Sequence, residues 1–251
     1  MLLRRQPRAE ESGPYWTQRG WQWSAGFLAV AVVMGGLLAL TSSGSDAAGQ
    51  AEAKAPAGGG PLTGEAGPGG RPEGCATDDS AGDGRPKAAP EDVGWRSLGV
   101  GRVPVSPSAG PTRIQGSLWW CFAHTPTGAA LAATVIPSQM SEPGWRTVVD
   151  QQLVAGTGRD MFEFLRALVA DTARPEGGKS VATYTGFSVL SYTREAATVS
   201  LLIRGSQGFT ATSIEVRWSD GDWKVLPSAD GSLYSQVTTV ENTNDYVLWG
   251  G

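Results

Sequence analysis

The chain has 251 residues, among them 35 Gly and 16 Pro, with 18% charged residues and a formal net charge of −4. The mild acidity argues against a nucleic-acid binder that works by charge. One His and two Cys exclude a zinc site built from those ligands alone, and they exclude a disulfide-dense scaffold.

Residues 1–22 are a polar head in which Arg4, Arg5, Arg8 and Arg19 outnumber Glu10 and Glu11. Residues 23–41 are read as a transmembrane helix. The stretch from Ser24 to Leu40 carries no charge. As a helix, residues 23–40 would measure about 27 Å, close to a hydrocarbon core of ~30 Å. Trp16, Trp21 and Trp23 suit the aromatic belt of a membrane interface, and the arginines before the span predict a cytoplasmic N-terminus. A cleaved signal peptide is the competing reading. The long head and the lack of a small-residue cleavage site directly after Leu40 speak against it. Cys75 lies too far from the apolar run for a lipoprotein.

Residues 42–94 read as a disordered linker. Gly, Pro and Ala fill more than half of it, acids outnumber bases, and no apolar period is present. Such a stretch cannot bury enough surface to offset its chain entropy.

Residues 95–251 are the part able to build a core, here expected outside the cytoplasm. Residues 95–105 predict an extended segment or loose hairpin broken by Gly99, Gly101 and Pro104. Residues 114–123, with Leu118, Trp119, Trp120 and Phe122, predict a strand. Thr125 followed by Pro126 reads as a helix cap and first helical position, opening a helix to about Ile136. Pro143 or Gly144 opens a second helix with Trp145, Val148, Val149 and Leu153 on one face. Asp160 and Glu163 read as the capping box of a third helix. Its apolar face would be Phe162, Leu165, Leu168 and Val169.

Beyond residue 178 the period changes to two. Residues 181–193, 197–204 and 209–218 and the segment from Trp223 predict four antiparallel strands, with Asp220-Gly221 as a hairpin turn. The fold class is α+β, with helices packed on a curved antiparallel sheet.

This order of elements resembles the cone fold of nuclear transport factor 2-like domains. More local strings point elsewhere: Gly74-Cys75-Ala-Thr-Asp-Asp-Ser80, Pro104-Val-Ser-Pro-Ser-Ala-Gly-Pro111, Thr125-Pro-Thr-Gly-Ala129, Trp145-Arg-Thr-Val-Val-Asp150, Gly156-Thr-Gly-Arg-Asp160 and the ending Trp249-Gly-Gly251. Together they resemble an actinobacterial domain of unknown function found in membrane-anchored proteins, often encoded with integrative conjugative elements. The resemblance implies an extracytoplasmic domain on a single-pass anchor and brings no known catalytic residues. His124 stands where that family often has Arg, which weighs against a catalytic role.

The candidate sites have plain structural alternatives. The string from Ala173 to Ser180 has the loosest form of a phosphate-binding loop, but it follows a helix and opens a strand, the reverse of what that loop needs. His124 lacks a nucleophile-elbow partner and reads as a helix-flank residue. Asp78, Asp79 and Asp83 lack the oxygen ring of a calcium loop. Cys75 and Cys121 would pair in an oxidising compartment. The preferred alternative buries Cys121 as a small apolar side chain, leaving Cys75 free or bonded to another chain. Trp119, Trp120, Trp145, Trp218 and Trp223 read as core, or else as the lining of a cone pocket.

Three functions follow. The first is a non-enzymatic scaffold or accessory subunit of a conjugative-transfer or secretion-type assembly, by analogy with cone-fold scaffold subunits. It would have protein partners, no nucleic acid and no cofactor, and homo-oligomers are compatible with it. The second is a ligand-binding module. The third is a cone-fold enzyme using Asp150, Asp160 or Glu163 with Tyr184 or Tyr192.

Overall fold

A computed structural model describes residues 60–62, 70–99, 101–169 and 183–250. The head, the apolar segment 23–41 and the string 173–180 lie outside them. Among the described residues no helix is long and apolar enough to cross a membrane. The described part is α+β, with three α-helices and a mostly antiparallel sheet.

The four expected strands form most of the sheet: β5 (Thr183–Tyr192), β6 (Ala196–Gly205), β7 (Gly208–Ser219) and β8 (Asp222–Val225), the last at an edge. Consecutive strands pair antiparallel, so each needs only a short turn. Between β7 and β8, Asp220 and Gly221 both take positive φ, 55° and 76°, which matches the twist of a two-residue hairpin. The register places Val199 opposite Ile214 and Ala197 opposite Val216, all buried. Two short strands were not evident in the sequence. The strand β9 (Thr238–Val240) pairs with β7, and β10 (Val247–Leu248) pairs with β5.

Two hairpins precede the helices. In the first, β1 (Gly94–Leu98) pairs with β2 (Gly101–Val105). The second corrects the single strand expected over 114–123: β3 (Arg113–Gln115) and β4 (Leu118–Trp120) fold back on each other. Gly116, at φ 59°, makes the reversal that a continuous strand would not allow.

Helix α1 (Pro126–Ser138) begins as its sequence predicts. Thr125 is extended, and its hydroxyl accepts a hydrogen bond from the Gly128 N–H at 3.2 Å. Ala129 to Ala133 are fully buried, so the helix lies close under the sheet, against β5 to β8 and also β2. A side chain at Gly128 would collide with the Ala123 carbonyl. Helix α2 (Trp145–Gln152) buries Trp145, Val148 and Val149, with Leu153 directly after it. A closed set of buried amides ties the layers together. Gln139 accepts from the Trp119 N–H at 3.0 Å and donates to Gln152 at 3.2 Å, and Gln152 donates to the Trp119 carbonyl at 2.8 Å.

Helix α3 (Thr157–Ala167) departs from expectation. Its N-cap is Gly156, so Asp160 and Glu163 are helical and do not form the capping box. Of the expected apolar face only Phe162 packs against the core, while Leu165, Leu168 and Val169 are exposed. The helix docks instead by backbone approach. Gly158 lies against the carbonyls of Pro227 and Ser228, and Gly231 lies against Met161 and Phe162.

The expected linker is also corrected at its C-terminal end. Residues 70–93 form a strap packed on the domain, and Leu62 is buried, with its N–H donating to Gln151. Polar and covalent anchors hold this strap in the absence of an apolar stripe. The Asp78 N–H donates to the Ser108 carbonyl, Arg85 donates to the Leu190 carbonyl, and Arg194 pairs with Asp83 at 3.3 Å.

Candidate functional site

The residues considered for acid–base work are not brought together. Asp150, on the exposed side of α2, accepts from the Gln151 amide. Asp160 and Glu163 are exposed on α3. Tyr184 meets Tyr234, hydroxyl to hydroxyl, at 3.3 Å. Tyr192 donates to the His124 carbonyl. Burial first, then nearby Asp83, pushes the Tyr192 phenol up to about 12, where it is a poor proton donor at neutral pH. The space between α1 and the sheet is filled by the main core, whose buried side chains include Phe122, Phe187, Trp145 and Trp223.

His124 lies at the centre of an aromatic stack. Its ring lies parallel to Trp218 with centroids 3.7 Å apart, and Trp218 in turn meets Trp223 edge-on at 5.3 Å. The imidazole Nε2 is 2.6 Å from the Arg194 carbonyl, and the His124 N–H donates to Asp79 at 2.8 Å. The Arg71 guanidinium lies 5.2 Å from the Trp218 centroid, donates to the Phe122 carbonyl at 2.6 Å and pairs with Asp79 at 3.1 Å. These contacts use His124 and Asp79 to fasten the strap. Among the described residues no group of three or more His, Cys, Asp or Glu side chains is arranged to hold a metal ion.

Cys75 and Cys121 form an intrachain disulfide. This corrects the preferred sequence reading of an unpaired Cys121 and leaves no thiol for a bond to another chain. The two cysteines are 46 residues apart in sequence, and folding of the strap onto β4 brings them together. Cys121 has φ 69°, unusual for a side chain with a Cβ, and it is held there by Asp222. The fully buried Asp222 carboxylate accepts from the N–H groups of Cys121 at 2.7 Å, Phe122 at 2.9 Å and Trp223 at 2.9 Å. Burial still dominates and pushes this carboxyl up to about 6.

A second polar knot closes the loop after β2. Ser106 donates to Asp92 at 2.6 Å, and the Ser108 N–H donates to the other carboxylate oxygen at 2.8 Å. Burial raises Asp92, but these bonds outweigh it and hold the group below the usual carboxylate range. No imidazole joins the pair among the described contacts, so Ser106 has the partners of a loop clasp and lacks those of a nucleophile.

Two surface features lie apart from these braces. Met161, Phe164, Leu165 and Leu168 form an exposed apolar stripe along α3 at spacings of three and four, with Phe164 61% and Leu168 70% accessible. The other is a groove of about 520 Å³ at one end of the sheet, bounded by Trp95, Arg102, Thr185, Arg204, Phe209 and Leu248. Neither arginine was singled out from the sequence. Arg204 and Phe209 face each other across the β6–β7 turn, a pairing that the hairpin pattern already made readable. Trp95 and Arg102 meet only through the register of the first hairpin.

Residues 51–248 match the family model described as Domain of unknown function (DUF8175). The chain belongs to that family. No curated protein and no solved structure matches it. The DUF8175 match takes in the strap as well as the α+β core. Residues that composition assigns to a linker are therefore part of the family domain, in line with the disulfide that closes them onto it.

Proposed function

We propose that this DUF8175 protein is a single-pass membrane protein whose α+β domain stands outside the cytoplasm and works without catalysis, as a scaffold or accessory subunit of a conjugative-transfer or secretion-type assembly. The observation that carries the location is the Cys75–Cys121 disulfide. Structural disulfides persist in oxidising compartments and are rare where cytosolic reductants keep thiols reduced. The uncharged stretch from Ser24 to Leu40, preceded by arginines, supplies the anchor and its orientation.

The non-catalytic part of the reading is supported by the dispersal of the candidate acids and phenols and by the filled face under α1. The nuclear transport factor 2-like cone is the fold proposed for it, with α1 laid against one face of an antiparallel sheet. The subunit role is supported by the apolar stripe on α3, since a monomeric domain rarely leaves such a row uncovered. The type of assembly rests on the resemblance drawn from the sequence strings.

The test is protease added to intact spheroplasts expressing the full chain. Cleavage beyond about residue 41 with a protected head is the expected result. A C-terminal domain that stays protected until the membrane is broken would overturn the topology. A soluble mature form lacking the apolar segment would establish a signal peptide.

A further inference from the structure

We infer that the groove between the first hairpin and the open end of the sheet is a binding site for an oxyanion, carboxylate or phosphate, carried on a flat apolar group. This reading is independent of the anchor and of the assembly. The groove's volume of about 520 Å³ is in the range of small-molecule sites. Two guanidiniums enter it from separate elements, Arg102 from β2 and Arg204 from β6. Each lies over an aromatic ring at 5.9 Å, Arg102 over Trp95 and Arg204 over Phe209. The rings limit the freedom of both side chains before any ligand arrives, so less entropy remains to be lost on binding.

The charge is also left unspent. No described residue bounding the groove is acidic. Among the described residues neither Arg102 nor Arg204 has a carboxylate partner, whereas Arg71 and Arg194 elsewhere in the domain each pair with an aspartate. Two uncompensated cations in one concave site attract an anion, and the planar guanidinium fork suits carboxylate and phosphate oxygens. The rest of the wall is mostly apolar. Trp95, Phe209 and Leu248 offer rings and a branched side chain for a flat group to rest on, and Thr183, Thr185 and Thr243 add short polar groups to the wall. A bare inorganic ion would leave that apolar surface unused, and an uncharged aromatic would leave both cations unpaired.

The test is calorimetric titration of the detergent-solubilised full chain with phenyl phosphate, benzoate, inorganic phosphate and benzamide. Saturable binding of phenyl phosphate or benzoate is expected, at least tenfold tighter than inorganic phosphate or neutral benzamide and weakening as salt is raised. Which of the two aryl anions binds better distinguishes a phosphate source from a carboxylate source. Arg102→Gln and Arg204→Gln should each weaken binding about tenfold or more. Arg96→Gln, on the neighbouring position of β1, should leave it unchanged. Thermal melting of each variant separates loss of the site from loss of the fold. Absence of saturable binding by both aryl anions, equal binding of benzamide, or indifference to both arginine variants in a folded protein would overturn the inference.

Discussion

Asp222 and Cys121 are joined by a hydrogen bond of 2.7 Å from the Cys121 N–H to a carboxylate that solvent does not reach. The same cysteine carries the disulfide to the strap. One buried acid on β8 therefore sets the backbone geometry from which the covalent link departs.

That arrangement makes stability depend on pH. Burial raises the Asp222 pKa from 3.8 to about 6 in the folded chain, so between those values the folded state holds the proton more tightly than the unfolded state. Stability contributed by the protonated form is fully present below about pH 4 and declines as pH rises through 6, by up to roughly 3 kcal/mol. Asp222→Asn should be less stable overall, because an amide cannot accept all three N–H groups. Its unfolding free energy should also be flatter across pH 4–6 than that of the wild type. Denaturant titrations at several pH values check this, and a parallel pair of curves would show that Asp222 does not titrate in that window.

Breaking the disulfide should loosen the strap and lower global stability. Closing a loop of this length is worth roughly 2–4 kcal/mol. Cys75→Ser with Cys121→Ser, or reduction of the native protein, should lower the melting temperature and make residues 70–93 the first site of limited proteolysis. Unchanged cleavage kinetics would mean that the Arg71 and Asp79 contacts suffice to hold the strap.

Trp145 is 1% accessible, opens α2 and packs into the main core, with the Arg146 and Arg166 guanidiniums over its ring at 4.3 and 4.8 Å. Trp145→Ala should cost about 3–5 kcal/mol through the cavity it leaves. Chemical denaturation of the two proteins decides it, and a loss under ~1 kcal/mol would place the side chain outside the core.

The stripe on α3 should behave oppositely. Phe164→Ser and Leu168→Ser alter side chains that are mostly in solvent, so each should shift folding stability by no more than about 0.5 kcal/mol. A loss of several kcal/mol for either would show that the helix face is covered in the native protein.

The central strands and α1 were legible because their signals are local. Alternation along 209–218, the Asp220-Gly221 turn and the Thr125-Pro126 cap each act within a few residues. The burial of Trp119, Trp120, Trp145 and Trp223 was legible for the same reason, since each sits in a strongly patterned segment. Helix α3 shows the limit of periodicity, which reports that a helix has an apolar face and says nothing about what lies against it. The strap was hidden because its Gly- and Pro-rich composition carries no apolar period. What orders it is a bond between residues 46 apart and an arginine on Trp218, both set by the tertiary fold. The groove is not legible in the sequence because Trp95, Arg102, Arg204 and Phe209 come from two hairpins whose juxtaposition no sequence window contains.

The Cys75–Cys121 bond has a mechanical consequence. Tension applied from the N-terminal side of the chain meets the Leu62 and Arg71 contacts first; once these yield, it reaches Cys75, crosses the sulfur bridge and enters the domain at Cys121. The intervening residues, which include the whole β1–β2 hairpin with Trp95 and Arg102, lie off that load path. Pulling on the domain through its N-terminal segment would therefore strain the Arg71 and Asp222 anchors while the hairpin wall of the groove stayed unloaded.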